Sequence, residues 1–343
     1  MGMTGTDPAR RRMLGALLAA GACAVAPTLR AAAPRSIDVV GAPSNLGLRP
    51  LRPGHVPGAF RAPAALRARR VVERLGARDR GDVAAPAYAP APDAATGYRN
   101  GAGLVAFTPR LAECVGASLD AGRFVLVLGG DCSVLLGGAL ALRRRGRHGL
   151  LFIDGHSDFY FPRTPRPLTA AGMDLALATG HGPDALVDID GGKPYFAEHD
   201  TVVYAYRDHG TPDEVETERF ERAAFLRLPI ERLRARGVAA TMDEALQRLG
   251  RTELRGFWIH VDVDVLDPAV MPAVDSPDPG GLRLAELEDS LALALASPRA
   301  LGLELTIFDP DLDADGRLAE RLVGVLERAF TRAGRFGLAM PAG

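Results

Sequence analysis

The chain has 343 residues, 47% of them hydrophobic and 24% charged, with a formal net charge of −1. That supplies a sizeable core and excludes a disordered or fibrous chain. Lys and Arg gather only in short stretches such as Arg143-Arg144-Arg145, which leaves no electrostatic footprint for nucleic acid and makes a small-molecule substrate the better expectation.

In chain order, residues 1–33 read as an export signal. Arg10-Arg11-Arg12-Met13-Leu14 leads an apolar run from Gly15 to Val25, and Ala31-Ala32-Ala33 supplies small residues for cleavage. The run is too short for a permanent membrane span. The paired arginines are similar to a twin-arginine signal, whose route exports folded proteins to the periplasm. An ordinary secretory signal, or a lipoprotein-type site at Cys23, is the alternative. If Cys23 leaves with the signal, Cys114 and Cys132 remain, and an oxidising compartment would permit one disulfide.

Residues 34–343 then read as one domain. Short apolar runs at Ile37–Val40, Phe124–Leu128, Leu150–Ile153, Thr201–Ala205, Phe257–Val261 and Ala300–Leu305 predict strands. Amphipathic stretches at Ala62–Leu75, Leu111–Ala121, Val134–Arg145, Ile230–Leu249, Leu284–Ala296 and Arg317–Ala333 predict the helices between them. Buried strands alternating with helices imply an α/β three-layer sandwich around a mostly parallel sheet. Ala84–Ala95 and Phe161–Pro167, rich in Pro, read as loops.

The chemistry lies just after three of these strands, in Asp131-Cys132-Ser133, Asp154-Gly155-His156-Ser157-Asp158 and Asp262-Val263-Asp264. Parallel sheets place ligands beyond the carboxyl ends of their strands. In extended backbone, residues two apart share a side, so Asp154, His156 and Asp158 are expected to converge, as are Asp262 and Asp264. Four carboxylates and an imidazole form an oxygen-rich set suited to Mn²⁺-type ions, and without cations their burial together would be prohibitively repulsive.

These motifs, together with Val40-Gly41-Ala42-Pro43, Gly47, Gly129-Gly130 and the terminal Asp309-Pro310 and Leu312-Asp313, make the chain resemble the ureohydrolases: arginase, agmatinase and formiminoglutamase. The resemblance spans almost all of residues 34–343. It implies two divalent metal ions, manganese by preference, activating a bridging water against a guanidinium or imino carbon. Asp154 and Asp262 would bridge the ions, Cys132 and Asp158 would complete one, and His156 and Asp264 the other, with Asp158 also catalytic. It also implies a homo-oligomer, a trimer or hexamer.

The chain departs from that family's pattern at four positions. Cys132 stands where most relatives have His, either as a softer ligand or as a buried thiol. Ala171 replaces a proton-shuttling His, Ile307 replaces a guanidinium-binding Glu, and Tyr160 takes a position that binds the α-carboxylate in arginases. Arginine is therefore not the expected substrate, and a non-catalytic binding protein on the same fold is the rival reading. Possible compensation comes from His260, turned to the metal side two residues before Asp262 as a ligand or proton shuttle; from Asp174, near the crevice mouth; and from Glu304, beside a metal ligand or on the substrate. His55, His148, His181, His199 and His209 read as exposed, and Trp258 as core.

Overall fold

Eight strands hydrogen-bond into one sheet, every pair parallel, in the computed structural model, which describes residues 34–161, 167–207 and 217–338. The strands are β1 (Ile37–Ala42), β2 (Arg78–Asp82), β3 (Phe124–Gly129), β4 (Gly149–Ile153), β5 (Thr201–Tyr204), β6 (Leu226–Leu228), β7 (Phe257–Asp262) and β8 (Ala300–Thr306). Their spatial order is β2-β1-β3-β8-β7-β4-β5-β6. The export segment, Cys23, residues 162–166 of the Pro-rich loop and His209 lie outside the described residues.

The three layers follow from the alternation of strand side chains. Leu126 and Leu128 of β3, Leu151 and Ile153 of β4 and Ile259 and Val261 of β7 join one core. Val125 and Val127, Leu150 and Phe152, and Trp258 join the other. The first core is closed by helices α1 (Ala62–Ala68), α2 (Val71–Arg74) and four from the second half of the chain; the second is closed by α3 (Gly101–Asp120), α4 (Leu135–Arg143), α5 (Asp174–Ala178) and α6 (Asp184–Val187). After α7 (Thr217–Arg222), those four are α8 (Ile230–Arg236), α9 (Val238–Leu249), α10 (Leu284–Ala296) and α11 (Arg317–Ala333).

Two predicted helices are each divided in two. Arg70, at φ 61°, separates α1 from α2, and Gly237, at φ 82°, separates α8 from α9. The helix expected from Leu111 begins ten residues earlier, at Gly101, with Pro109 inside it. Both edge strands escape an apolar-run search. β2 is Arg-Asp-Arg-Gly-Asp and wholly exposed, the charged kind of edge that discourages further pairing, while β6 has only three residues. Among the described residues no helix is long and apolar enough to cross a membrane.

The chain leaves β3 and re-enters three places away at β4, and the gap is later filled by β7 and β8. It leaves the neighbouring strands β4 and β7 in opposite directions, to β5 and to β8. At such a reversal the loops leaving the strand ends splay apart and open a crevice. β3, β4 and β7, which flank it with β8, carry the three acidic motifs.

Candidate metal centre

Each motif is built by the same local device. Asp131 accepts a hydrogen bond from Ser133 N at 2.9 Å, Asp154 from His156 N at 2.7 Å and Asp262 from Asp264 N at 2.8 Å. These are Asx-turns, in which a strand-terminal aspartate takes up the N–H two residues on. Cys132–Val134 and Val263–Val265 continue as 3₁₀ turns. The side chains therefore converge because the backbone curls over the strand ends, and the extended geometry expected from the sequence holds only within β7, where His260 and Asp262 share a face.

Asp131 is the member that turns away. Besides Ser133 N it accepts from Ser44 Oγ at 2.7 Å and Gly47 N at 3.0 Å, so its carboxylate ties the loop after β1 to the turn after β3. Gly130 permits that approach, since a Cβ there would run into the Ser44 carbonyl.

The remaining residues gather into three groups whose donor atoms lie within 4.8 Å of one another: Asp154, His156 and Asp264; Cys132, Asp158 and Asp174; and Cys132, His260 and Asp262. Every one is buried except His156, which is partly so. His156 Nδ1 lies 3.0 Å from Asp264 Oδ2, and its Nε2 lies 3.1 Å from Asp278 Oδ2. Cys132 Sγ donates to Asp262 Oδ2 at 2.6 Å.

Without a cation the cluster is electrostatically unfavourable. Burial, then the neighbouring carboxylates, push Asp154, Asp158, Asp174 and Asp262 well above the ordinary carboxyl range. Burial and Asp262 raise the Cys132 thiol. His156 moves the other way. Burial opposes its charge, but Asp264 and nearby carboxylates carry the imidazolium up to about 12, and that imidazolium holds Asp264 low despite burial. Divalent ions would relieve this repulsion. Asp154 Oδ2, Asp174 Oδ2 and His260 Nε2 are buried with no hydrogen-bond partner among the described residues. Orphaned acceptors and ligand-type donors closing on one another are what a pair of divalent ions would satisfy, so the residues fit such ions.

Over this cluster opens a cleft of about 400 Å³. Cys132, His156, Asp158, Asp262 and Asp264 line its floor; Tyr160, Ala171, Gly172 and Ile307 are in its walls, with Arg49, Asp275 and Asp278 also facing it.

The arginase family model matches residues 35–330. The chain belongs to the arginase family. An arginase of Staphylococcus aureus (strain COL) is 27% identical over 306 residues, covering 86% of this chain and 97% of that one. One from Brevibacillus brevis is 28% identical over 305 residues, at 86% and 98% coverage. The solved arginase of Bacillus caldovelox superposes with a TM-score of 0.76 at 25% identity, covering 86% of this chain and 98% of its own.

Within the arginase-family frame, the departures sit at the cleft. Ala171 and Ile307 bring apolar walls where the sequence resemblance implied His and Glu. Ile307 also adopts φ 68°, a left-handed conformation unfavourable for a β-branched residue, held by its N–H donating to Gly130 O at 2.7 Å. Tyr160 packs its ring beside Gly172. Two expectations are corrected in place. Asp174 is not at the crevice mouth but fully buried beneath the floor, because it opens α5 where that helix packs inward. His260 and Glu304 are also wholly buried, His260 on the metal side within reach of Cys132 and Asp262, and Glu304 beside it. His148 is buried rather than exposed, facing the Gly146 carbonyl at 3.0 Å, while Trp258 is core as expected. Cys114 and Cys132 are both free thiols.

Sequence reasoning missed Asp278 and Arg207. Arg207 donates to the carbonyls of Asp264, at 2.8 Å, and Asp278, at 2.6 Å, and so joins the turn after β7 to the acidic loop that reaches His156. Asp278 follows no strand, and Arg207, three residues past β5, is a lone base outside the acidic motifs; only the acid-rich Asp275-Ser276-Pro277-Asp278 run hinted at the contact.

Proposed function

We propose that this chain is a binuclear metal-dependent hydrolase that cleaves a linear C–N bond in a small guanidino, amidino or formimino compound other than arginine. The observation carrying this reading is that Cys132, Asp154, His156, Asp158, Asp262 and Asp264 close on one another under an open polar cleft. Asp154 and Asp262 would be shared by two ions, Mn²⁺ by family likeness, with Cys132 and Asp158 on one side and His156 and Asp264 on the other. Bound there, the ions would supply Lewis acidity and lower the pKa of a bound water.

The chain's own residues account for the rest. Asp158 faces the cleft, so its carboxylate can accept the proton of the attacking water and return it to the departing nitrogen as the C–N bond breaks. Asp278 holds His156 from the solvent side. Asp275 brings a carboxyl into the cleft with Arg49 as its charge partner, whereas Ile307 offers no carboxylate for bidentate pairing with guanidinium. By the same reading the protein is exported folded to the periplasm and assembles as a trimer or hexamer, which cell fractionation and light scattering would check.

The direct test is release of urea, formamide or ammonia by the Mn²⁺-loaded protein from a panel of guanidino, amidino and formimino compounds. Turnover of at least one is expected. Tight binding without turnover under any divalent ion would instead select a non-catalytic binding protein, the reading that Ala171 and Ile307 favour.

A further inference from the structure

Below the cleft floor lies a layer of ionisable side chains that solvent does not reach. His260 and Glu304 occupy positions on the sheet face otherwise given to Phe152, Val127 and Trp258. They are register partners across β7 and β8, and His260 Nδ1 lies 2.8 Å from Glu304 Oε1. Phe152, the register partner on β4, stacks on the imidazole at 4.6 Å between centroids and 7° between planes. The ring is thus fixed in plane and in tautomer, with Nδ1 committed to the carboxylate and Nε2 left to point at the cluster.

Among the described residues Nε2 has no hydrogen-bond partner, and neither do the two oxygens it faces, Asp174 Oδ2 at 3.6 Å and Asp154 Oδ2 at 4.0 Å. These separations are too long for direct hydrogen bonds and close to the roughly 3 to 4 Å between donors that share one ion at about 2.1 Å. His260 also lies within common reach of Cys132 and Asp262, and Asp174 within common reach of Cys132 and Asp158.

Resting on the metal reading above, we propose that His260 Nε2 is a ligand of the ion bound by Cys132, joined by Asp174. That ion then sits deeper than the cleft floor. The imidazole that position 132 lacks is delivered from β7, and Glu304 is the residue that positions it. A thiolate and an imidazole among carboxylates make this position borderline in softness, so it selects Co²⁺ or Zn²⁺ over Mn²⁺.

Cobalt alone is the probe. Full-length protein loaded with Co²⁺ should bind about two ions and show a thiolate-to-cobalt charge-transfer band. His260→Gln should lose about one ion together with that band, and added imidazole should restore both in His260→Gly. Glu304→Gln should weaken only the thiolate-marked ion, by about 10- to 100-fold. Retention of both ions and the band in His260→Gln overturns the proposal. Should that variant not fold, wild-type protein loaded with a single equivalent decides. X-ray absorption of a thiolate-marked ion should show imidazole scattering, which His156 on the other ion does not supply. A band without imidazole, or bound ions without a band, overturns the His260 assignment and leaves the metallohydrolase intact. Failure to bind any divalent ion instead defeats the reading on which it rests.

Discussion

Asp131 and Cys132 are adjacent yet belong to different systems. Asp131 satisfies three buried donors and is structural, so Asp131→Ala strands Ser44 Oγ, Gly47 N and Ser133 N. A loss of about 3 kcal/mol or more in chemical denaturation is expected. An unchanged midpoint would mean the carboxylate serves the metals after all. Cys132, by contrast, points into the cluster. Cys132→His should keep or raise Mn²⁺ occupancy, whereas Cys132→Ala should lower metal content by about one ion per chain, measured by elemental analysis. Equal metal content in both variants would remove the thiol from the site. At the cleft wall, Ile307→Glu should raise kcat/KM for guanidino compounds relative to neutral amides by roughly tenfold or more, because it places a bidentate acceptor where the wall is now apolar. No change in that ratio would show that the head group binds elsewhere.

At the scale of elements, the strand-end Asx-turn is the unit from which the site is made. Gly130→Ala tests it. The added methyl meets the Ser44 carbonyl, and the turn presenting Cys132 must shift, so we expect about 1–3 kcal/mol of lost stability together with weaker metal retention. Full retention of both would show that the loop after β1 yields freely. The same unit explains what could be read from the sequence. Asp154, His156, Asp158, Asp262 and Asp264 were found because acids after apolar runs mark strand ends, and the five do meet. Extended backbone does not bring them together, since the turn depends on side-chain-to-backbone hydrogen bonds that a period-two pattern does not represent. Asp174 was misplaced because α5 has only five residues and its packing direction is set by distant partners. The same holds for Asp278, whose role exists only through its contact with His156. The six central strands were readable from their burial, and the edge strands were not, since charge or brevity erases that signal.

At the scale of the whole molecule, protons and metal ions compete for one set of groups. Asp154, Asp158, Asp174 and Asp262 titrate well above their unfolded values and His156 near about 12. From about pH 6 to 9 the metal-free folded chain therefore holds more protons than the unfolded one. The raised groups contribute stability at low pH that is lost as pH rises. Asp264, held low, acts in the opposite sense, but its contribution is lost only as pH falls through the acid range. Tm in chelator should fall across this window, and divalent ions should flatten or reverse the slope by replacing the protons. A Tm that climbs with pH in chelator would contradict the buried-carboxyl account. The strand order adds a constraint in time as well as in space. β8, the last strand to leave the ribosome, is the one inserted between β3 and β7, so the strands carrying Cys132 and Asp262 cannot take their final spacing until residues near 306 have emerged. A chain cut short before that point has most of its ligands and no place to assemble them, which makes complete synthesis a precondition for loading metal.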